Sequence, residues 1–165
     1  MKQRLSTLTL RAMLIAVALI LSYVERLIPM PVFLPGMKAG LANIVTVFLL
    51  YRFSLRDTAV CTLLRILLSN LLFGSVISLA YSVAGAACSL IGMLLARRWF
   101  SPVGVSVLGG VLHNLGQLLV AICLVHTAAL GWYFPLLLLF GTVSGVLIGC
   151  LAGLCIRRIP RFSHK

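Results

Sequence analysis

Apolar residues run along this chain in long stretches broken by short polar segments, not in the period-two alternation of strands. Such runs are read as membrane-spanning helices, each needing roughly 20 mostly apolar residues and ending where charge, Pro or Gly cluster. The spans fall at about 8–28, 39–51, 57–73, 76–96, 103–125 and 133–155. The pattern predicts an all-α integral membrane protein: a six-transmembrane-helix bundle forming a single domain over residues 1–165. The second and third runs are short, so one or both are tilted, half-spanning or extended by their flanks.

Composition makes the lipid bilayer the solvent to reason in. Of 165 residues, 62% are hydrophobic, and the mean hydropathy of +1.17 exceeds what a soluble domain hides in its core. The net charge of +12 raises nucleic acid as a partner, but recognition of that kind needs basic residues on one water-exposed face. Here they are spread between apolar runs, so nucleic acid is excluded. Lys and Arg accumulate on the cytoplasmic side of membrane proteins. With six spans and the N-terminus inside, Lys2, Arg4, Arg11, Arg52, Arg56, Arg97, Arg98, Arg157, Arg158, Arg161 and Lys165 all face the cytoplasm, while Arg26 and Lys38 lie outside. Both termini are therefore expected in the cytoplasm of a cell with this chain in its inner membrane. No small-residue cleavage site follows the first apolar run before Tyr23, Glu25 and Arg26, so it reads as a retained helix. The cysteines, Cys61, Cys88, Cys123, Cys150 and Cys155, lie inside apolar runs without metal-ligand spacing and read as small core residues.

Lipid supplies no hydrophobic drive between helices, so close packing depends on small residues. Gly141, Gly145, Gly149 and Gly153 recur every fourth residue and predict a packing face on the last helix. Ala12 and Ala16 form a smaller pair of the same kind on the first helix, able to seat another helix of this chain or of a partner.

Polar groups at membrane depth are costly unless paired or hydrated, and each is a candidate functional residue. Arg65 lies near the middle of the third span, with Thr62, Ser69 and Asn70 on its side by helical spacing. An arginine there requires an anion. The chain has two acidic residues, Glu25 and Asp57. Asp57 is placed to cap the third helix, which leaves Glu25 as the internal partner of Arg65, with a bound anionic ligand as the alternative. In the fifth span His113, Asn114 and Gln117 offer hydrogen-bonding groups, His113 and Gln117 one turn apart on one face. Interhelical hydrogen bonding explains them equally well. The first outer loop carries Pro29, Pro31 and Pro35, which favour an extended path across the mouth of the bundle. Lys38 and Asn43 flank the start of the second helix, where the helix dipole favours negative charge.

Five ordered motifs carry a family resemblance: Pro35-Gly36-Met-Lys38-Ala-Gly40-Leu41-Ala42-Asn43-Ile44-Val45-Thr46, Leu64-Arg65, Leu72-Phe73-Gly74-Ser75, Tyr81-Ser82-Val-Ala84-Gly85 and His113-Asn114-Leu-Gly116-Gln117. Over residues 8–155 the chain resembles the Gx transporter family, labelled heptaprenyl diphosphate synthase component I. That family is similar to the substrate-binding S components of energy-coupling factor transporters. The resemblance implies an S-component-like bundle with a ligand pocket toward the outer side. It also implies docking through Ala12 and Ala16 onto a transmembrane coupling subunit served by ATPases. No Walker A sequence is present, so no cofactor is intrinsic and any ATP hydrolysis belongs to partner subunits.

The function expected is the substrate-binding membrane subunit of a transporter for a small anionic or amphipathic molecule, isoprenoid- and quinone-related compounds included, possessing no catalytic residues. Its ligand-binding residues are Glu25, Lys38, Asn43, Arg65, Asn70, His113, Asn114 and Gln117. The alternative is a non-transporting subunit that holds a quinone or prenyl lipid for a redox or quinone-biosynthesis partner. Prenyl chain elongation requires aspartate-rich clusters that hold Mg²⁺ against diphosphate oxygens, and two isolated acids do not build them.

Overall fold

In a computed structural model that describes residues 2–27 and 40–159, the chain folds into six α-helices. They are α1 (Lys2–Leu27), α2 (Asn43–Arg52), α3 (Leu55–Phe73), α4 (Val76–Ala96), α5 (Pro102–Val125) and α6 (Phe134–Arg158), with a 3₁₀ segment at Ala128–Tyr133 leading into α6. Serine caps set the starts of α3, α4 and α5. The hydroxyls of Ser54, Ser75 and Ser101 accept the backbone N–H of Asp57, Ser78 and Gly104, each satisfying an otherwise orphaned donor. Asp57 was expected to cap α3 itself. Its carboxylate instead pairs with Arg11 of α1 at 2.9 Å, because the shorter Ser54 side chain already reaches the first turn.

Among the described residues, four helical stretches are long and apolar enough to cross a membrane: Leu8–Leu27, Val76–Ala96, Pro102–Val125 and Ala128–Arg158. Helix α3 has 19 residues but carries Arg56, Asp57 and Arg65. Its leucines 63, 64, 67, 68, 71 and 72 all point outward, the face a lipid-contacting helix presents. Helix α2 differs in kind. Its 10 residues rise only about 15 Å, half of a hydrocarbon core about 30 Å thick. It is apolar on every side because it is enclosed on every side. Val45, Phe48 and Leu49 pack against Ala18 and Cys61, while Val47 and Leu50 pack against Met93, Val105 and Ala152.

Helices α1 and α3 run parallel. Arg11 meets Asp57 near one end, and the rings of Tyr23 and Phe73 lie 5.0 Å apart near the other. At the first end Arg52 donates to the Ile156 carbonyl of α6, and the Tyr51 hydroxyl lies 3.4 Å from the Phe100 carbonyl. These contacts gather Arg11, Arg52, Arg56, Arg97, Arg98, Arg157 and Arg158 at one end of the bundle. Arg26 lies at the opposite end, donating to the carbonyl of Phe73 at the close of α3.

Glycine governs the other half of the molecule. A Cβ on Gly145 would stand 2.5 Å from Cα of Val107, and one on Gly149 would stand 2.6 Å from Cα of Val103, so α6 lies backbone to backbone on α5. Gly110 and Gly141 face each other across the same seam. On the far side of α5, Gly116 abuts the Ala84 carbonyl and Gly85 the His113 carbonyl, which seats α4 as closely. Gly153 departs from the expected four-residue face: nothing approaches its Cβ position within 4 Å. It lies beyond the point where α5 begins, so the spacing continues but the neighbour does not.

Candidate functional site

The site begins where two segments of the chain meet. The last turns of α1 bring Ser22, Glu25 and Arg26 to the end of the bundle opposite the arginine cluster. A left-handed turn at Gly40, with φ of 77°, then starts the path into α2. Glycine holds that conformation without the Cβ clash other residues suffer. The Gly40 N–H donates to Oε1 of Glu25, tying the two segments together.

Around this tie a small cavity opens, lined by Ser22, Glu25 and Arg26 of α1, Gly40 and Asn43 at the start of α2, Arg65, Ile66 and Ser69 of α3, Ser82 of α4 and His113 of α5. About 30 Å³ of it is accessible to the centres of water molecules, room for one or two waters. Five helices contribute. Glu25, Asn43, Ser69 and Ser82 are buried, and a set of buried polar groups meeting at one cavity is how a bundle builds a binding site.

Arg65 is the principal group of the lining. Its Nε is buried and has no hydrogen-bond partner, so a buried donor is left for something that enters. The Glu25 carboxylate attracts the guanidinium. Arg65 also borders a second groove, too narrow for a water molecule, between Leu14, Ile15, Ala18, Val45, Leu49 and Cys61, with Thr46 and Thr62 as its polar edge. Arg65 thus stands where a polar chamber meets an apolar seam.

Of the residues singled out from the sequence, Glu25, Asn43, Arg65 and His113 come together on this lining. Lys38 lies outside the described residues, as do Pro29, Pro31 and Pro35. Three amides lie off it. The Asn70 Nδ2 donates to the Ile66 carbonyl of its own helix at 2.9 Å, leaving Oδ1 buried and unpartnered. Asn114 Nδ2 donates to the Leu137 carbonyl at 2.9 Å and so fastens α5 to α6. Gln117 is buried against Gly85, its Nε2 without a partner. Ser22, Arg26 and Ser82 line the cavity without having been singled out as site residues. Ser22 stands one turn before Glu25 and Ser82 within the Tyr81-Ser82 motif, so helical spacing from Glu25 offered the signal for the first. Ala12 and Ala16 are exposed on the outward face of α1, beside Met13, Val17 and Ile20.

The family model for heptaprenyl diphosphate synthase component I matches residues 14–155. The chain belongs to that family. The family match encloses every described lining residue of the cavity and all of α2 through α5. Neither a curated protein nor a solved structure matches the chain.

Proposed function

We propose that this member of the heptaprenyl diphosphate synthase component I family is a substrate-binding membrane subunit for a small anionic or amphipathic molecule. The observation that carries the reading is Arg65, a half-buried arginine on a polar cavity whose Nε donor is buried and unpaired. A permanently charged fork of this kind suits a carboxylate or phosphate oxygen. Its companions Asn43, Ser69, Ser82 and His113 supply the hydrogen bonds that would orient the ligand.

In this reading six segments cross the inner membrane, the short α2 among them. The arginine-rich end lies in the cytoplasm with both termini, as the bias of Lys and Arg requires. The cavity then opens toward the outside. The exposed Ala12 and Ala16 form the docking face for a coupling subunit, whose ATPases drive any transport.

The family label names a synthase, yet we assign no catalysis to this chain. Asp57 is paired with Arg11 near the arginine-rich end, and Glu25 sits at the opposite end, so its two acids do not make a diphosphate-binding magnesium site. Native mass spectrometry of gently purified protein tests the proposal, run beside the Lys38→Ala/Arg65→Ala double variant. A discrete bound mass, lost in the variant, is expected. A folded variant that keeps the same bound mass would sink the assignment.

A further inference from the structure

At the arginine-rich end, three guanidinium groups come from three separate elements. Tyr51 of α2, Ala96 of α4 and Ile156 of α6 meet in one apolar cluster, and in each case the next residue along the chain is an arginine: Arg52, Arg97 and Arg157. Arg52 reaches across to the Ile156 carbonyl, its Nε buried and unpartnered. Arg97 stands within electrostatic reach of the Tyr51 hydroxyl. No acidic side chain is left to neutralise them. The whole chain has two, Glu25 at the opposite end and Asp57, whose carboxylate is paired with Arg11, so the residues outside the described ones add none. Beside the three arginines, the turn into α5 presents Trp99 and Phe100, 78% and 58% exposed. Large aromatic rings left bare beside cations at the ends of apolar helices sit at the level of lipid head groups.

We propose that Arg52, Arg97 and Arg157 form a binding site for the head group of an anionic phospholipid, whose acyl chains lie against Trp99 and Phe100. The proposal is independent of the cavity at Glu25 and Arg65 and rests on the membrane-helical character of the chain. A phosphate diester offers one negative charge and acceptor oxygens that guanidinium forks bind in pairs. Each basic group near an anionic membrane surface strengthens binding about fivefold. Three of them set around one packed cluster act on a single head group, and less side-chain freedom is lost on binding than three arginines on a flexible segment would lose. A soluble anion would use the guanidinium groups but leave both aromatic rings bare. A lipid uses both.

Trp99 is one of two tryptophans in the chain, so Trp132→Phe leaves it as the sole reporter. Full-length protein with that substitution is placed in bilayers of phosphatidylcholine and phosphatidylglycerol, bromine being carried on the acyl chains of one lipid or the other. Quenching of Trp99 fluorescence then gives the relative affinity of the two lipids at that position. A preference for phosphatidylglycerol of about tenfold or more is expected. Arg97→Gln combined with Arg157→Gln is expected to bring the two lipids within about twofold of each other. Arg56→Gln, at an exposed position off the cluster, should leave the preference in place. Trp132, kept alone by Trp99→Phe beyond the far end of α5, is the reference, with a preference several-fold smaller. Equal quenching of Trp99 by the two lipids, the same preference at Trp99 and Trp132, or a loss in Arg56→Gln as large as in the paired variant would overturn the site. A preference abolished by inorganic phosphate at constant ionic strength would make it a site for free phosphate and overturn the lipid.

Discussion

The two halves of this bundle are held together by different means. Helices α4, α5 and α6 approach backbone to backbone through Gly85, Gly110, Gly116, Gly141, Gly145 and Gly149. The half built from α1, α2 and α3 relies on side chains: the Arg11–Asp57 pair, Glu25 on the Gly40 N–H, Arg26 on the Phe73 carbonyl, and the aromatic contact of Tyr23 with Phe73. Backbone contacts between glycines admit almost no displacement, because close-packed interiors leave no slack. Side-chain ties can be exchanged for others. The cavity lies chiefly in the second half, with Ser82 and His113 of the rigid half forming its far wall. The cavity is thus placed where contacts are replaceable, against a wall where they are not.

Substitutions that respect this division should separate folding from binding. The largest effect is expected for Gly145→Leu, whose side chain would meet the Val107 backbone. A loss of roughly 3 kcal/mol or complete failure to yield monodisperse protein is expected, read by size exclusion and thermal unfolding. Arg65→Ala should leave the helices assembled and reduce anion affinity by about 100-fold, measured by equilibrium binding in nanodiscs. If that variant instead unfolds as badly as Gly145→Leu, the division between a structural and a functional half is wrong. Asp57→Asn removes a partly exposed ion pair with Arg11 and is expected to cost about 0.5 kcal/mol, with ligand affinity unchanged. The smallest change is expected at Gly153→Ala, within about 0.5 kcal/mol of wild type, because no neighbour stands near that Cβ; Gly149→Ala, four residues earlier, should be clearly destabilising in the same melting assay.

Much of the rigid half was legible in the sequence, because a glycine every fourth residue is a geometric statement about one face of a helix. The spacing located the α5 contact at Gly141, Gly145 and Gly149, and overran only at Gly153, where the length of the partner helix, invisible in the spacing, decides. The apolar runs at 76–96 and 103–125 lie on α4 and α5, whose starts are marked by Ser75 and by Ser101 and Pro102. The site was harder to read. Charge within an apolar run singled out Arg65, and Glu25 as its candidate partner, and both line the cavity. The amides Asn70, Asn114 and Gln117 were not separable from pocket residues on spacing alone, because an amide in lipid is equally served by a carbonyl of its own helix or of a neighbour. Asn70 and Asn114 took such carbonyls. Ser22 and Ser82 carry no charge to announce them, and Arg26 passed for an ordinary loop cation beside the larger arginine cluster at the opposite end. Helix α2 explains the remaining shortfall: its apolar run signals burial but not whether lipid or protein does the burying, and here Val47, Leu49 and Leu50 are buried by protein.

If the cavity is an anion site, the Nε–H of Arg65 receives the anion. Arginine-selective ¹⁵N labelling, with Arg65→Lys to assign the resonance, makes that proton directly observable by NMR in nanodiscs while butyrate is titrated in. A saturable downfield shift of the Arg65 Nε–H signal is expected, with little movement of the arginines at the opposite end. An Arg65 signal that stays in place through the titration, or moves only in step with the arginines at the opposite end, would contradict the assignment.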